Sequence, residues 1–280
     1  MNASDFGSVT FGLASALSWG AGDFSGGLAA KRSPVLGVLL VGQATGLVLL
    51  AGMALLWSEP IPPRSDLAWS AAAGLLGAAG LAALYRALAV GRMSVVAPVS
   101  AVVTAMLPVL FGALTEGLPG APKLVGFGLA LIGSALIART RDAAGGRGGP
   151  GLALLAGAGF GAFFVLLHRG SVTATFLPLA VARLAAMSLF VAGVVLRRRT
   201  WAPQPARLPL VLLSGALDAG GNAFFVLAGR TGRLDVAAVL SSMYPASTVL
   251  LAAILLGERT TRAQGVGIVA VLAAIALIAT

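Results

Sequence analysis

The sequence lacks several residue types on which soluble enzymes depend. Its 280 residues include no cysteine and one histidine, His168, which excludes disulfides, thiolate metal sites and histidine clusters. Charged residues make up only 10% of the chain, whereas soluble domains carry about 25%. We find no motif for a catalytic nucleophile, a phosphate-binding loop or paired metal ligands. These absences argue against an enzyme, and we expect neither a cofactor nor a metal.

Long apolar runs take the place of the missing charge. Hydrophobic residues make up 58% of the chain, and a helix needs about 20 apolar residues to cross about 30 Å of hydrocarbon. The sequence therefore predicts an all-α, polytopic membrane protein with ten transmembrane helices. The predicted spans are residues 8–29, 34–57, 67–90, 94–115, 121–139, 151–168, 176–196, 207–229, 234–256 and 261–279.

The two halves of the chain resemble each other at an offset of about 141 residues. We interpret residues 1–141 and 151–280 as two five-helix repeats that residues 142–150 join as a polar linker. Because five is an odd number, the second repeat enters the membrane from the opposite side, so the repeats are inverted. Inverted repeats around a midplane site are an architecture of secondary transporters. The matched pairs are Gly20 with Gly161, Gly91 with Gly232, Arg92 with Arg233, Ser100 with Ser241, and Gly126 with Gly267.

Three stretches resemble the EamA-type ten-helix branch of the drug/metabolite transporter superfamily. They are "LSWGAGDF" in the first span, "ALYRALAVGRMSVVAPVSAV" across the third and fourth, and "SSMYPASTVLLAAILLGERTTRAQGVGIVAVLAAIALIA" at the end. The resemblance implies a proline in the fourth and ninth helices, here Pro98 and Pro245, which can bend or gate them. It also implies a glutamate closing each of these helices, here Glu116 and Glu258. For function, it implies export of small metabolites such as amino acids through the inner or plasma membrane, without ATP.

Four charges lie inside the predicted spans, namely Asp23, Arg86, Arg183 and Asp218. Each would cost about 2.5–3.5 kcal/mol facing lipid at the bilayer centre, so each should point inward. Asp23 and Arg86 lie at similar depths on the first and third spans and can pair if those helices touch. Arg183 and Asp218 can pair across the seventh and eighth. Either pair can be structural or can belong to a substrate site.

Neighbouring residues favour a binding site near these charges. Asn222 shares a helix face with Asp218, and Trp19 shares one with Asp23, because each is four residues away. An aromatic ring beside a carboxylate can bind an ammonium group, and an arginine can then bind a substrate carboxylate. A structural salt bridge with a tryptophan packed over it would give the same sequence pattern. Weaker candidates for lining a cavity are Tyr85, Ser100, Ser241 and Tyr244. The phenylalanines at 160, 163 and 164 are predicted to pack.

Basic residues give two conflicting indications of sidedness. Connections after odd-numbered spans hold 12 Lys and Arg residues and those after even-numbered spans hold five, so the positive-inside rule places both termini outside. The family resemblance places them in the cytoplasm, and sidedness stays open. The formal charge of +10 fits anionic headgroups better than nucleic acid.

We therefore predict a secondary transporter with a central cavity between spans one, three, four, six, eight and nine. Two other classes stay open, a membrane enzyme acting on lipid-linked substrates and a non-transporting membrane scaffold. The expected partners are a small-molecule substrate and the lipid bilayer, with no nucleic acid. The sequence leaves the oligomeric state open, and a monomer is compatible with it.

Overall fold

The structure is a computed structural model that describes residues 3–90, 93–137, 149–197, 201–256 and 261–278. Regular secondary structure in these ranges is helical throughout. The helices are α1 (Ala3–Ala30), α2 (Val35–Leu56), α3 (Arg64–Val90), α4 (Met93–Thr115), α5 (Ala121–Ile137), α6 (Gly149–Gly170), α7 (Phe176–Arg197), α8 (Leu208–Thr231), α9 (Leu234–Ser241), α10 (Tyr244–Leu256) and α11 (Arg262–Ile278).

Helices occur at all ten predicted positions, which confirms the all-α fold of a polytopic membrane protein. Within the described residues, five helical segments are long and apolar enough to cross a bilayer. They are Val35–Leu56, Arg64–Leu84, Gly151–Gly170, Phe176–Leu196 and Pro205–Thr231. The predicted family position Glu258 and most of the predicted linker lie outside the described residues.

The ninth predicted span differs from the prediction because it consists of two helices. Helix α9 ends at Ser241 and α10 begins at Tyr244. Pro245, the second residue of α10, has no N–H to donate, which favours a helix start at this point. At Pro98, the other proline that was predicted to bend or gate a helix, α4 runs unbroken from Met93 to Thr115.

Helix pairing follows a regular scheme. Helix α1 packs along α8 and α3 packs along α6, while α2 packs on α7 and α5 on α11. Helix α4 contacts α6, and α1 contacts both α9 and α10. Helices α1 and α3 make no extensive contact with each other. The scheme places α1, α2, α3, α6, α7 and α8 around the centre of the bundle.

Small residues let these helices approach to backbone contact. A Cβ on Gly74 of α3 would overlap the carbonyl oxygen of Ala182 in α7. A Cβ on Gly215 of α8 would lie 2.5 Å from the carbonyl oxygen of Gly42 in α2. Such small residues are the usual means of close helix packing in membranes. The central helices are therefore held at separations that larger side chains would prevent.

The connections group into two faces of the bundle. Those after α2, α4, α6 and α8 contact one another, as in the ion pair of Arg233 with Glu116 at 3.9 Å and the hydrogen bond from Arg230 Nη1 to Thr175 Oγ1 at 2.8 Å. On the other side, the Gln204 N–H donates to Ser33 Oγ at 3.1 Å. This grouping is what alternating membrane crossings produce.

Glu59, in the α2–α3 connection, caps the start of α7. Its Oε1 accepts the Thr175 N–H at 2.7 Å, and its Oε2 accepts the N–H groups of Phe176 and Leu177, each at 2.9 Å. The first N–H groups of a helix have no partner within the helix and carry its positive dipole end. The carboxylate therefore fixes the entry of α7 from a distant part of the chain.

Replacing Glu59 by Ala is expected to lower the free energy of unfolding by about 2 kcal/mol, because three N–H groups lose a charged acceptor. The measurement is unfolding of the purified protein in detergent. The control is Ile61→Ala in the same connection, where the side chain is 84% exposed and the change should stay within about 0.5 kcal/mol. Equal effects of the two variants would show that the cap does not stabilise α7.

Candidate functional site

A cavity of about 250 Å³ lies among the central helices. It is lined by α1, α2, α3, α6, α7 and α8, with Thr104 of α4 and Tyr244 of α10. Since a water molecule occupies about 30 Å³ of liquid, this is room for about eight waters, or for a small metabolite. Helices α2 and α7 contribute to the lining in addition to the six spans predicted to do so.

Six residues singled out from the sequence line this cavity. They are Trp19, Asp23, Arg183, Asp218, Asn222 and Tyr244. They come from four different helices and from both halves of the chain. The fold therefore brings together three of the four charges that the sequence placed inside its apolar spans.

Arg183 and Asp218 form an ion pair in the cavity wall. Arg183 Nη2 lies 2.5 Å from Asp218 Oδ2, and Arg183 Nη1 donates to Gln43 Oε1 at 3.0 Å. The Arg183 side chain is 5% exposed and that of Asp218 is 40% exposed. Gly46 makes room for the guanidinium, because a Cβ there would lie 3.1 Å from Arg183 Cζ. The arginine is thus embedded, while the aspartate also faces the cavity.

The Asn222 side chain bonds the backbone of Asp218 and not its carboxylate. Its Nδ2 donates to the backbone carbonyl of Asp218 at 2.9 Å, one turn earlier in α8. This is a local bond of the kind that polar side chains often form in helices. The shared helix face is present, and Asn222 lines the cavity, but its amide is partly engaged by its own helix.

Asp23 is the second carboxylate of the cavity, and it is exposed there. The neighbouring Gly22 lies against α8, since a Cβ on Gly22 would be 3.4 Å from the Asp218 backbone nitrogen. The Asp23 carboxylate therefore lines the cavity near Asp218. Within the described part of the chain, the Asp23 carboxylate forms no ion pair and no hydrogen bond to a side chain, so it is available to a ligand.

The structure does not bring Asp23 and Arg86 together, a pairing that the sequence left open. Arg86 is exposed and lies outside the cavity lining. The physical reason is the packing scheme: α1 lies along α8 and α3 along α6, without extensive contact between α1 and α3. Similar depth in the membrane does not bring two side chains together when their helices are not neighbours.

An aromatic cluster borders the cavity. The ring of Trp19 stacks on Phe164 at 5.5 Å and on Phe225 at 6.1 Å, and Tyr244 meets it edge-on at 6.4 Å. Trp19 is 9% exposed. Its ring is therefore largely covered by other rings, and it contributes a cavity edge rather than an open face.

The opposite wall of the cavity is apolar. The described lining residues of α3 and α6 include Leu81, Leu84, Phe160 and Phe163, and none of them carries a polar side chain. The prediction that the phenylalanines only pack is incomplete, since those at 160, 163 and 164 also line the cavity. Their grouping on one helix was visible in the sequence, but a buried and a cavity-facing ring give the same signal.

Two of the remaining candidates, Ser100 and Ser241, lie outside the cavity lining. Ser100 is buried and its carbonyl accepts the Thr104 hydroxyl at 2.8 Å, while the Ser241 hydroxyl points to the Gly12 carbonyl at 3.5 Å. Both serines therefore face helix contacts and neither lines the cavity. The side chains of Tyr85, Pro98 and Pro245 lie outside the described part of the structure.

Comparison with known proteins adds the family. Residues 147–280 match the model of the EamA-like transporter family. This match covers 134 of the 280 residues, slightly less than half of the chain. Over these residues the chain is similar to the EamA-like family, which belongs to the drug/metabolite transporter superfamily. Members of the EamA-like family are transporters rather than enzymes, so the resemblance seen in the sequence is confirmed. The family match and the apolar helices support a multi-pass membrane protein and point to a membrane transporter.

A solved structure shows the same fold. A crystal structure described only as that of a protein has a TM-score of 0.81 to this EamA-like chain, at 17% identity, over 96% of this chain and 97% of its own. At this identity the likeness concerns the fold alone. A comparison with curated proteins finds no match.

Proposed function

We propose that this protein is a secondary-active transporter that exports small metabolites, amino acids among them, through the central cavity by alternating access. The observation that carries the proposal is a metabolite-sized cavity whose charged lining comes from α1 of the first half and α7 and α8 of the second. Charges within membrane spans usually mark a substrate or ion pathway. The proposed binding residues are Asp23, Arg183 and Asp218, with Trp19, Asn222 and Tyr244 at the edges.

The arrangement of helices supports two inverted repeats, 1–141 and 151–280. Exchanging each helix for its counterpart in the other half turns the α1–α8 contact into the α6–α3 contact, and both are among the most extensive in the bundle. Equivalent helices of the two halves therefore make equivalent contacts. With five spans per half, the second half is inserted in the opposite sense.

Matching glycines support the same symmetry at the level of residues. A Cβ on Gly20 would lie 2.7 Å from the carbonyl oxygen of Tyr244. A Cβ on Gly161, 141 positions later, would lie 2.9 Å from the carbonyl oxygen of Thr104. Thr104 lies 140 positions before Tyr244, so both the glycine and its neighbour repeat. The contact of α1 with the ninth span thus has its counterpart in the contact of α6 with α4.

The cavity is also placed for access from one face. Gly27 lies in the last turn of α1 and Val38 in the first turn of α2, and both line the cavity. On the opposite face, Glu59 holds α7 and Arg233 holds Glu116. In the proposed cycle, the contacts of Glu59 and Arg233 open when the face near Gly27 and Val38 closes. The break before Pro245 allows α10 to move separately from α9.

Two glycines provide a direct test of the transport pathway. Gly27 lines the cavity and Gly52 does not, and a Cβ on either would meet no atom within 4 Å. Gly27→Leu should therefore fold but obstruct the cavity, and it is expected to reduce transport by about tenfold or more. Gly52→Leu, on the outer side of α2, should transport at the wild-type rate.

The measurement is exchange of labelled amino acids and organic amines in proteoliposomes, with each variant checked for folding by size-exclusion chromatography. Transport by wild type and Gly52→Leu but not by Gly27→Leu supports the proposed pathway. Equal transport by both variants places the pathway elsewhere. Failure of wild-type protein to exchange any compound of either class rejects the proposed function.

A further inference from the structure

The described lining of the cavity holds more carboxylates than cationic groups. Its charged lining residues, among those described, are Asp23, Arg183 and Asp218. Arg183 is already engaged by Asp218 at 2.5 Å and by Gln43 at 3.0 Å. With both carboxylates ionised, they outnumber the guanidinium by one, and Asp23 is the carboxylate without a counter-charge among the described residues. In a region of low dielectric, one unmatched charge strongly favours a ligand of the opposite sign.

A substrate carboxylate would have no comparable partner. To bind one, Arg183 would have to leave Asp218, and Asp218 would then remain beside Asp23 without a counter-charge. The guanidinium is also confined, because its side chain is 5% exposed and Gly46 packs against it. Removing one partner of such a pair is strongly unfavourable. The cavity therefore disfavours an anionic group even though it contains an arginine.

A second part of the cavity lining is suited to an apolar body. Helices α3 and α6 present Leu81, Leu84, Phe160 and Phe163. The charged and amide side chains of the lining, namely Asp23, Gln43, Arg183, Asp218 and Asn222, come instead from α1, α2, α7 and α8. Small-molecule sites commonly combine an apolar surface with a few polar groups that fix orientation. A ligand with a charged end and an apolar end would satisfy both walls at once.

We propose that the cavity selects an organic monocation with an apolar or aromatic body over a zwitterionic amino acid of the same size. Its ammonium group binds the Asp23 carboxylate, and its apolar body lies against α3 and α6. The Arg183, Asp218 and Gln43 unit remains intact and serves as a neutral part of the wall. This inference rests on the proposed function, which it narrows to one class of substrate.

Three compounds with the same ring test the inference: phenylethylamine, phenylalanine and phenylacetate. Binding to the purified full-length protein in detergent at pH 7 is measured by calorimetry. We expect phenylethylamine to bind at least about tenfold more tightly than phenylalanine, as expected for one charged contact, and phenylacetate to bind most weakly. Asp23→Asn should remove the preference, whereas Asp23→Glu should retain it. Asp66→Asn, at the start of α3 and outside the cavity lining, is the matched control.

The outcomes separate this inference from the proposed function. Tighter binding of phenylalanine or phenylacetate by wild-type protein overturns the inference, and so does the absence of binding of all three compounds. A preference for the amine that survives in folded Asp23→Asn also overturns it. None of these binding results tests transport itself, which the exchange assay with Gly27→Leu and Gly52→Leu measures separately. The wild-type ranking remains decisive if Asp23→Asn does not fold.

Discussion

Replacing Asp218 by Asn is expected to lower the free energy of unfolding by about 3 kcal/mol, since it leaves the Arg183 guanidinium buried without its counter-charge. The Arg183 side chain is only 5% exposed, and its Nη2 lies 2.5 Å from Asp218 Oδ2. Asp218 is 40% exposed, which places the effect at the lower end of the range of about 3–5 kcal/mol for breaking a buried pair. The measurement is unfolding of the purified protein in mixed micelles.

The reverse change is expected to have the smaller effect. In Arg183→Met, the carboxylate that remains is 40% exposed and can be hydrated from the cavity. The double variant Arg183→Met/Asp218→Asn should recover most of the stability lost in Asp218→Asn, because no buried charge remains. A double variant whose loss equals the sum of the two single losses would show that the pair is not coupled.

The sequence was sufficient to predict where the helices lie. The predicted spans 34–57 and 176–196 correspond to α2 at Val35–Leu56 and α7 at Phe176–Arg197. The agreement has a physical basis, since a membrane-crossing helix must be apolar along its length and its polar connections mark both ends. The break between α9 and α10 was less visible. Apolar composition carries no information about backbone hydrogen bonds, and Pro245 alone did not distinguish a bend from an interruption.

The sequence predicted that the charges point inward, but it did not predict which of them form pairs. Arg183 and Asp218 pair across α7 and α8, whereas Arg86 lies away from Asp23. A sequence gives the depth of a residue along its own helix, while the identity of the neighbouring helix depends on packing of the whole bundle. Here that packing depends on glycines whose role appears only when the facing backbone is known.

Gln43 is the main site residue that the sequence analysis missed. It lies in α2, which was not predicted to line the cavity, and it accepts a hydrogen bond from Arg183 at 3.0 Å. A signal was present, because Gln43 is a polar amide within an apolar span. Gln43 carries no charge, so a search for charged residues did not identify it. Uncharged amides in membrane spans commonly form hydrogen bonds between helices and merit the same inspection as charges.

Replacing Gly74 by Ala is expected to destabilise the protein by more than about 2 kcal/mol, because overpacking of a tight contact forces backbone shifts. The new Cβ would overlap the carbonyl oxygen of Ala182 in α7, so α3 and α7 would have to separate along the cavity wall. Gly215→Ala, 141 positions later, would place a Cβ 2.5 Å from the Gly42 carbonyl oxygen between α8 and α2. If the halves are repeats, both substitutions should have a comparable effect.

Gly52→Ala is the control that separates packing from helix propensity. A Cβ at this position in α2 meets no atom within 4 Å, so the substitution should stabilise the protein by about 0.5–1 kcal/mol. The three variants are compared by unfolding in the same detergent. Opposite signs for Gly52→Ala and the other two variants would place the effect in the helix contacts, and matching losses for Gly74→Ala and Gly215→Ala would support the repeat. Stabilisation by all three would contradict the close approach of α3 to α7 and of α8 to α2, and with it the geometry that encloses the cavity.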